Sequence, residues 1–140
     1  MMIAKIKIMN KEVVKMKIKE LHNIQKKFLQ DVGDYFLKVE KELKENIKFK
    51  VFIEEMKTEQ DEVWCDYVIK VGRTKFMLDC STYEDYFRLA VFGGTKLAEK
   101  CVEKCDGDWD ETFENYELFL TEDLKDVIDF FKWVEEQNEK

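Results

Sequence analysis

The chain has no proline, one histidine, five glycines and no long apolar run. Without proline, no helix or strand is broken by a fixed φ and a missing N–H, so elements run as far as their apolar pattern carries them. With His22 as the single imidazole, any cysteine nucleophile would have to take it as its base, and no carboxylate is placed by the sequence to orient it. His22 therefore reads as a helix-surface residue. The opening MMIAKIKIMNK is too interrupted by lysine for a signal-peptide core, and no later apolar stretch approaches the roughly 20 residues of a membrane span. The expectation is a soluble, cytoplasmic protein with reduced thiols at Cys65, Cys80, Cys101 and Cys105. These cysteines lack CxxC spacing and continue apolar patterns, which favours core packing over a zinc site, and no metal or other cofactor is expected.

Charge is plentiful but unevenly spread. Residues 1–50 hold 13 lysines against 7 acids, whereas residues 106–140 hold 13 acids against 3 lysines. The basic start, including Lys5, Lys7, Lys11, Lys15, Lys17 and Lys19, lacks interleaved aromatics and reads as a solvated face. The acidic end repels nucleic acid and attracts basic surfaces or cations.

Periodicity predicts a single α+β domain over 1–140: a long N-terminal helix, a three-stranded antiparallel β-meander, and two to three C-terminal helices. Residues 1–18 fit either a strand or an extension of the helix. From Leu21, the residues Phe28, Val32, Tyr35, Val39 and Leu43 recur at helical steps, giving a helix over 20–46 whose apolar face suits self-association. Strict alternation at Phe49, Val51 and Ile53, then from Val63 to Val71, then at Phe76, Leu78 and Cys80, places the meander at 48–80. A type II′ turn at Gly72-Arg73 sets Ile69 opposite Phe76, Tyr67 opposite Leu78 and Cys65 opposite Cys80, with all six on one face. Ser81 and Glu84 form a capping box, predicting a helix from about Thr82 to Phe92 within a helical region 82–138. Gly93-Gly94 stops that helix, Thr95 caps another, and Thr121 caps the last. Gly93-Gly94-Thr95-Lys96 lacks the GxxxxGK(S/T) frame of a phosphate loop, so helix breaking is its expected role.

The segment DGDWDETFENYE carries the densest candidate chemistry. Asp106, Asp108, Asp110, Glu114 and Glu117 stand at loop positions 1, 3, 5, 9 and 12 of an EF-hand-like pattern, but position 6 is Glu111 where the calcium loop turns on glycine. A solvated acidic loop is the competing reading. Trp109, Phe113 and Tyr116, with Phe119 and Trp133 beyond, lie among the carboxylates, a mixture suited to an interface in which rings bury and charges steer. The partner-binding set is therefore Asp106, Asp108, Trp109, Asp110, Glu111, Phe113, Glu114, Tyr116 and Glu117, facing a protein with a basic surface rather than nucleic acid or membrane.

Over roughly residues 20–120, the order helix, three-stranded meander, helix, helix with this late acidic run resembles small phage-encoded anti-CRISPR proteins that mimic DNA. The resemblance implies a non-enzymatic inhibitor in which Asp106, Asp108, Asp110, Glu111, Glu114 and Glu117 stand in for phosphates. The basic N-terminal region departs from that pattern. The alternative expectation is an oligomeric ligand- or calcium-binding protein that uses the 106–117 loop.

Overall fold

The computed structural model describes residues 3–7, 23–59, 62–81 and 86–138, and its described strands form one antiparallel sheet of seven. Along the chain run β1 (Ile3–Lys7), α1 (Asn23–Asn46), β2 (Lys50–Glu59), β3 (Glu62–Val71), β4 (Thr74–Ser81) and β5 (Phe87–Val91). Then come α2 (Lys96–Cys105), β6 (Asp108–Asp110), β7 (Asn115–Thr121) and α3 (Leu124–Asn138). The strand order is β1-β2-β3-β4-β5-β7-β6.

The β3–β4 hairpin has the expected register, with Cys65 opposite Cys80, Tyr67 opposite Leu78 and Ile69 opposite Phe76. Gly72 carries φ +59, while Arg73 is not among the positive-φ residues, the sign pattern of a II′ turn. All six paired residues are buried.

The three-stranded meander is nevertheless too small a description, and the helix expected at 82–92 is not there. The described part of that segment is β5, which pairs with β4 from Phe76 opposite Val91 to Cys80 opposite Phe87. Phe87, Leu89 and Val91 alternate into the core, and a strand buries all three beside β4 where a helix would scatter them over its surface. Ser81 belongs to the end of β4, and Glu84 lies outside the described residues. The segment 108–121, expected as a loop leading into a helix, is a hairpin of β6 and β7 that completes the sheet beyond β5. A bulge between Leu89 and Ala90 shifts the register against β7, so the period of two that would have announced β7 is broken at Leu118. Of the ambiguous first 18 residues, Ile3–Lys7 is the edge strand β1, paired with β2.

The helices share one face of the sheet. On α1 the residues Val32, Phe36, Val39 and Leu43 are buried, whereas Tyr35, expected on the apolar face, is 47% exposed. Two polar contacts fix α1 on the sheet: the Tyr67 hydroxyl donates to the Phe36 carbonyl at 2.8 Å, and the Ile53 N–H, beside a bulge in β2, donates to Glu40 Oε2 at 3.2 Å. A buried backbone donor freed by the bulge thus finds a carboxylate instead of going unpaired. Phe76 packs edge-on against Phe131 of α3, with ring centroids 4.9 Å apart. Thr95 caps α2 by accepting the Ala98 N–H at 3.1 Å. The cap of α3 is Asp123, not Thr121: its Oδ1 accepts the Lys125 N–H at 2.9 Å, and Thr121 accepts the N–H of Asp123 itself. None of the helices among the described residues is long and apolar enough to cross a membrane.

Candidate functional site

Residues of the other parity point away from the helices and build the second face of the sheet. At its centre Val68 and Ala90 are fully buried, and around them stand charged side chains from successive strands. Cross-strand pairing brings Asp66 of β3 opposite Asp79 of β4, and Asp79 opposite Arg88 of β5. Lys57 of β2 lies 3.9 Å from Asp66 and 4.0 Å from Glu55. Lys57, Asp66, Asp79 and Arg88 floor a cleft of about 360 Å³, and Trp64, Tyr86 and Phe113 line its apolar part.

Arg88 organises this face. Its guanidinium is only 11% exposed and meets three carboxylates, Glu117 at 3.0 Å, Asp110 at 3.2 Å and Asp79 at 3.4 Å. It also donates to Asn115 Oδ1 at 3.0 Å, and the Phe113 ring lies 5.2 Å from its central carbon. The fork of a guanidinium suits such multiple acceptance, and little exposure makes these pairs matter more than surface bridges do. Asp79 is the odd member: burial, then hydrogen bonding and repulsion from Asp66, push its carboxyl up from 3.8 to about 8, against the opposing pull of Arg88. Its Oδ1 is closed off from solvent, and among the described residues no donor reaches it. A proton on Asp79 removes one buried charge and provides the hydrogen bond that Asp66 can accept.

The hairpin carrying the acidic run sits beside this cleft. Asp110 Oδ1 accepts the N–H groups of Thr112 (2.9 Å) and Phe113 (3.2 Å), closing the turn 111–114. The positive φ falls at Glu114 (+55) and Asp106 (+52), not at Glu111 where a calcium loop would need it. Asp106, Asp108, Glu111 and Glu114 are exposed, while Asp110 and Glu117 turn inward to Arg88. The candidate calcium ligands are thus divided between solvent and an ion-paired network. No group of three or more His, Cys, Asp or Glu among the described residues is arranged to hold a metal ion. Trp109 (51% exposed) rests edge-on against the half-buried Tyr116, with centroids 4.9 Å apart, and Phe113 is 52% exposed. Because Trp109 pairs with Tyr116 and Phe113 covers Arg88, the two rings project on opposite sides of the sheet at its β6 edge.

Cys65 and Cys80 face each other as buried free thiols, Cys101 is buried on α2, and Cys105 is half-buried. Burial raises all four thiols, Cys80 and Cys101 to about 12, so thiolate chemistry is suppressed at neutral pH. His22 lies outside the described residues.

The sequence reading singled out the hairpin residues and passed over the cleft. Lys57, Trp64, Asp66, Asp79, Tyr86 and Arg88 are spread over four strands or their ends, and only register brings them together. One signal was available: once Tyr67 is set opposite Leu78, Asp66 must stand opposite Asp79 on the reverse face, and two facing carboxylates in mid-sheet call for an explanation.

Comparison with protein families, with characterised proteins and with solved structures finds no match. The element order observed, with four strands between α1 and α2 and a β-hairpin before α3, also differs from the order that carried the resemblance to DNA-mimicking inhibitors.

Proposed function

We propose that this is a binding protein that engages a basic protein partner through the acidic β6–β7 hairpin. The observation that carries the reading is the pair Trp109 and Phe113, each about half exposed, set among the solvent-facing carboxylates of Asp106, Asp108, Glu111 and Glu114. Large rings left in water at a sheet edge are the usual anchors of an interface, and a cluster of one charge sign steers a partner of the other. Residues 106–117 contain six carboxylates and no lysine or arginine, so a partner approaching this edge meets one sign of charge. A partner straddling β6 contacts Phe113 on the second face and Trp109 on the helical face. Because Asp110 and Glu117 are already paired with Arg88, four free carboxylates and two rings carry the docking, which favours a basic protein surface over mimicry of an evenly charged phosphate backbone.

The test is a pull-down from a cell lysate with three baits: the wild-type chain, Trp109→Ala/Phe113→Ala, and a variant with Asp106, Asp108, Glu111 and Glu114 changed to lysine. The reading expects a stoichiometric basic protein on the wild-type bait, released as salt approaches about 1 M, where screening lengths shrink to about 3 Å. Both variants should lose it. An identical retained set on all three baits would refute the reading.

A further inference from the structure

We propose that the cleft on the second face of the sheet is a binding site for a small amine, with the ligand's ammonium seated between Asp66 and Asp79 and an apolar body lying against Trp64, Tyr86 and Phe113. The cleft borders the hairpin and shares Phe113 with it, but amine binding does not depend on a partner docking there.

Three observations converge. The first is the space: about 360 Å³, at the lower end of small-molecule pockets, with an apolar lining around a few polar groups. The second is charge. Among the described residues, and leaving Glu55 aside, the network holds four carboxylates, Asp66, Asp79, Asp110 and Glu117, against the two cations Lys57 and Arg88. Both cations already face carboxylates, which leaves nothing in the floor to recruit an anion, while an added cation offsets the surplus. The third is the aromatic lining, since ring faces attract ammonium groups and bury hydrocarbon.

The behaviour of Asp79 makes the inference specific. The groups facing it are Asp66 from β3, Arg88 from β5, and Lys57 and Glu55 from β2 beyond Asp66; Asp110 and Glu117 act on it through Arg88. In the empty cleft a proton does for this surplus of negative charge what a ligand cation would do. Binding is then an exchange: the ammonium enters, the Asp79 Oδ–H bond breaks, its proton passes to solvent, and the Asp79 carboxylate, with Oδ2 still on Arg88, faces the ammonium together with Asp66. Below the value of about 8 at which Asp79 ionises, a ligand must displace the proton, so affinity rises with pH toward that value.

The experiment titrates the ¹⁵N-labelled chain with 2-phenylethylamine and, separately, with its neutral counterpart 2-phenylethanol, at pH 6 and pH 8. The proposal expects saturable shifts at the amides of Asp66, Asp79 and Arg88, an amine affinity at least about tenfold higher at pH 8 than at pH 6, and weaker, pH-independent binding of the alcohol. Asp79→Asn should abolish the pH dependence, and Asp66→Asn should lower amine affinity in a chain that keeps its native spectrum. The proposal is overturned if the alcohol matches the amine at pH 8, if the amine leaves the cleft amides unmoved up to about 20 mM, a concentration well above that needed for a weak small-ligand site, or if Asp79→Asn retains the full pH dependence.

Discussion

Replacing Asp79 by asparagine should stabilise the protein at alkaline pH and leave it nearly unchanged in mild acid. In the unfolded chain this carboxyl ionises at its ordinary value of 3.8, whereas in the fold burial and Asp66 hold it protonated up to about 8. Between those values the folded protein keeps a proton that the unfolded chain has released, so stability falls as pH rises through the window and levels off above it. Each unit of difference corresponds to about 1.4 kcal/mol, which sets a ceiling near 6 kcal/mol for the full span. The Asp79 side chain is still 21% exposed and the charge is shared with Asp66, so solvent screens much of this, and the working figure is about 2–3 kcal/mol. Asparagine keeps the shape, is neutral throughout, and donates to Asp66 from its amide. It gives up only the 3.4 Å contact with Arg88, whose other partners remain. Urea unfolding followed by tryptophan fluorescence at about pH 4 and about pH 8.5 should therefore give two nearly coincident curves in acid. At alkaline pH the variant should gain about 2–3 kcal/mol, or several degrees in Tm. Curves for the two proteins that stay parallel across the pH range would refute the assignment of a retained proton to Asp79.

Other consequences follow from the same geometry. Arg88→Met removes the shared partner of Asp79, Asp110 and Glu117 and should cost about 3 kcal/mol at neutral pH, read by the same unfolding assay; an unchanged midpoint would count against the network. Glu114→Gly relieves a positive φ of +55 and should stabilise the hairpin by about 0.5–1 kcal/mol; a lower Tm would contradict the strain. Native thiol labelling should modify Cys105 first and leave Cys65, Cys80 and Cys101 unmodified until the chain unfolds, so early labelling of Cys65, followed by mass spectrometry of peptides, would count against the packing described. Trp109→Ala/Phe113→Ala should shift stability by less than about 1 kcal/mol, because both rings are already half in water; a larger loss would mark them as core.

What could be read in the sequence is what short-range pattern controls. The β3–β4 register was legible because a two-residue turn and strict alternation agree on one pairing, and the apolar spacing of Val32, Val39 and Leu43 sufficed for α1. At β5 two local signals conflicted. Ser81 and Glu84 suggested a helix start, while Phe87, Leu89 and Val91 alternated as a strand, and the partner that decides between them, β4, is a tertiary fact. The β7 strand was hidden by the bulge at Leu118, which breaks the period. Tyr35 and Phe36 are equally apolar neighbours, and which of them faces the sheet depends on the packing of α1, not on composition. The exposed hairpin residues were legible because acids and rings in one short run stand out. The cleft was not, since Asp66, Asp79 and Arg88 each look like an ordinary outward residue of a strand until three strands are laid side by side.

A partner docked at the β6–β7 edge would lie within reach of a photo-crosslinker placed there. A photoreactive phenylalanine analogue placed at Trp109 is compared in cells with the same group at Tyr35, which is similarly exposed on α1. Docking at this edge gives one dominant covalent adduct to a basic protein from position 109 and none from position 35. Equal labelling from both positions, or no adduct from position 109, would contradict it.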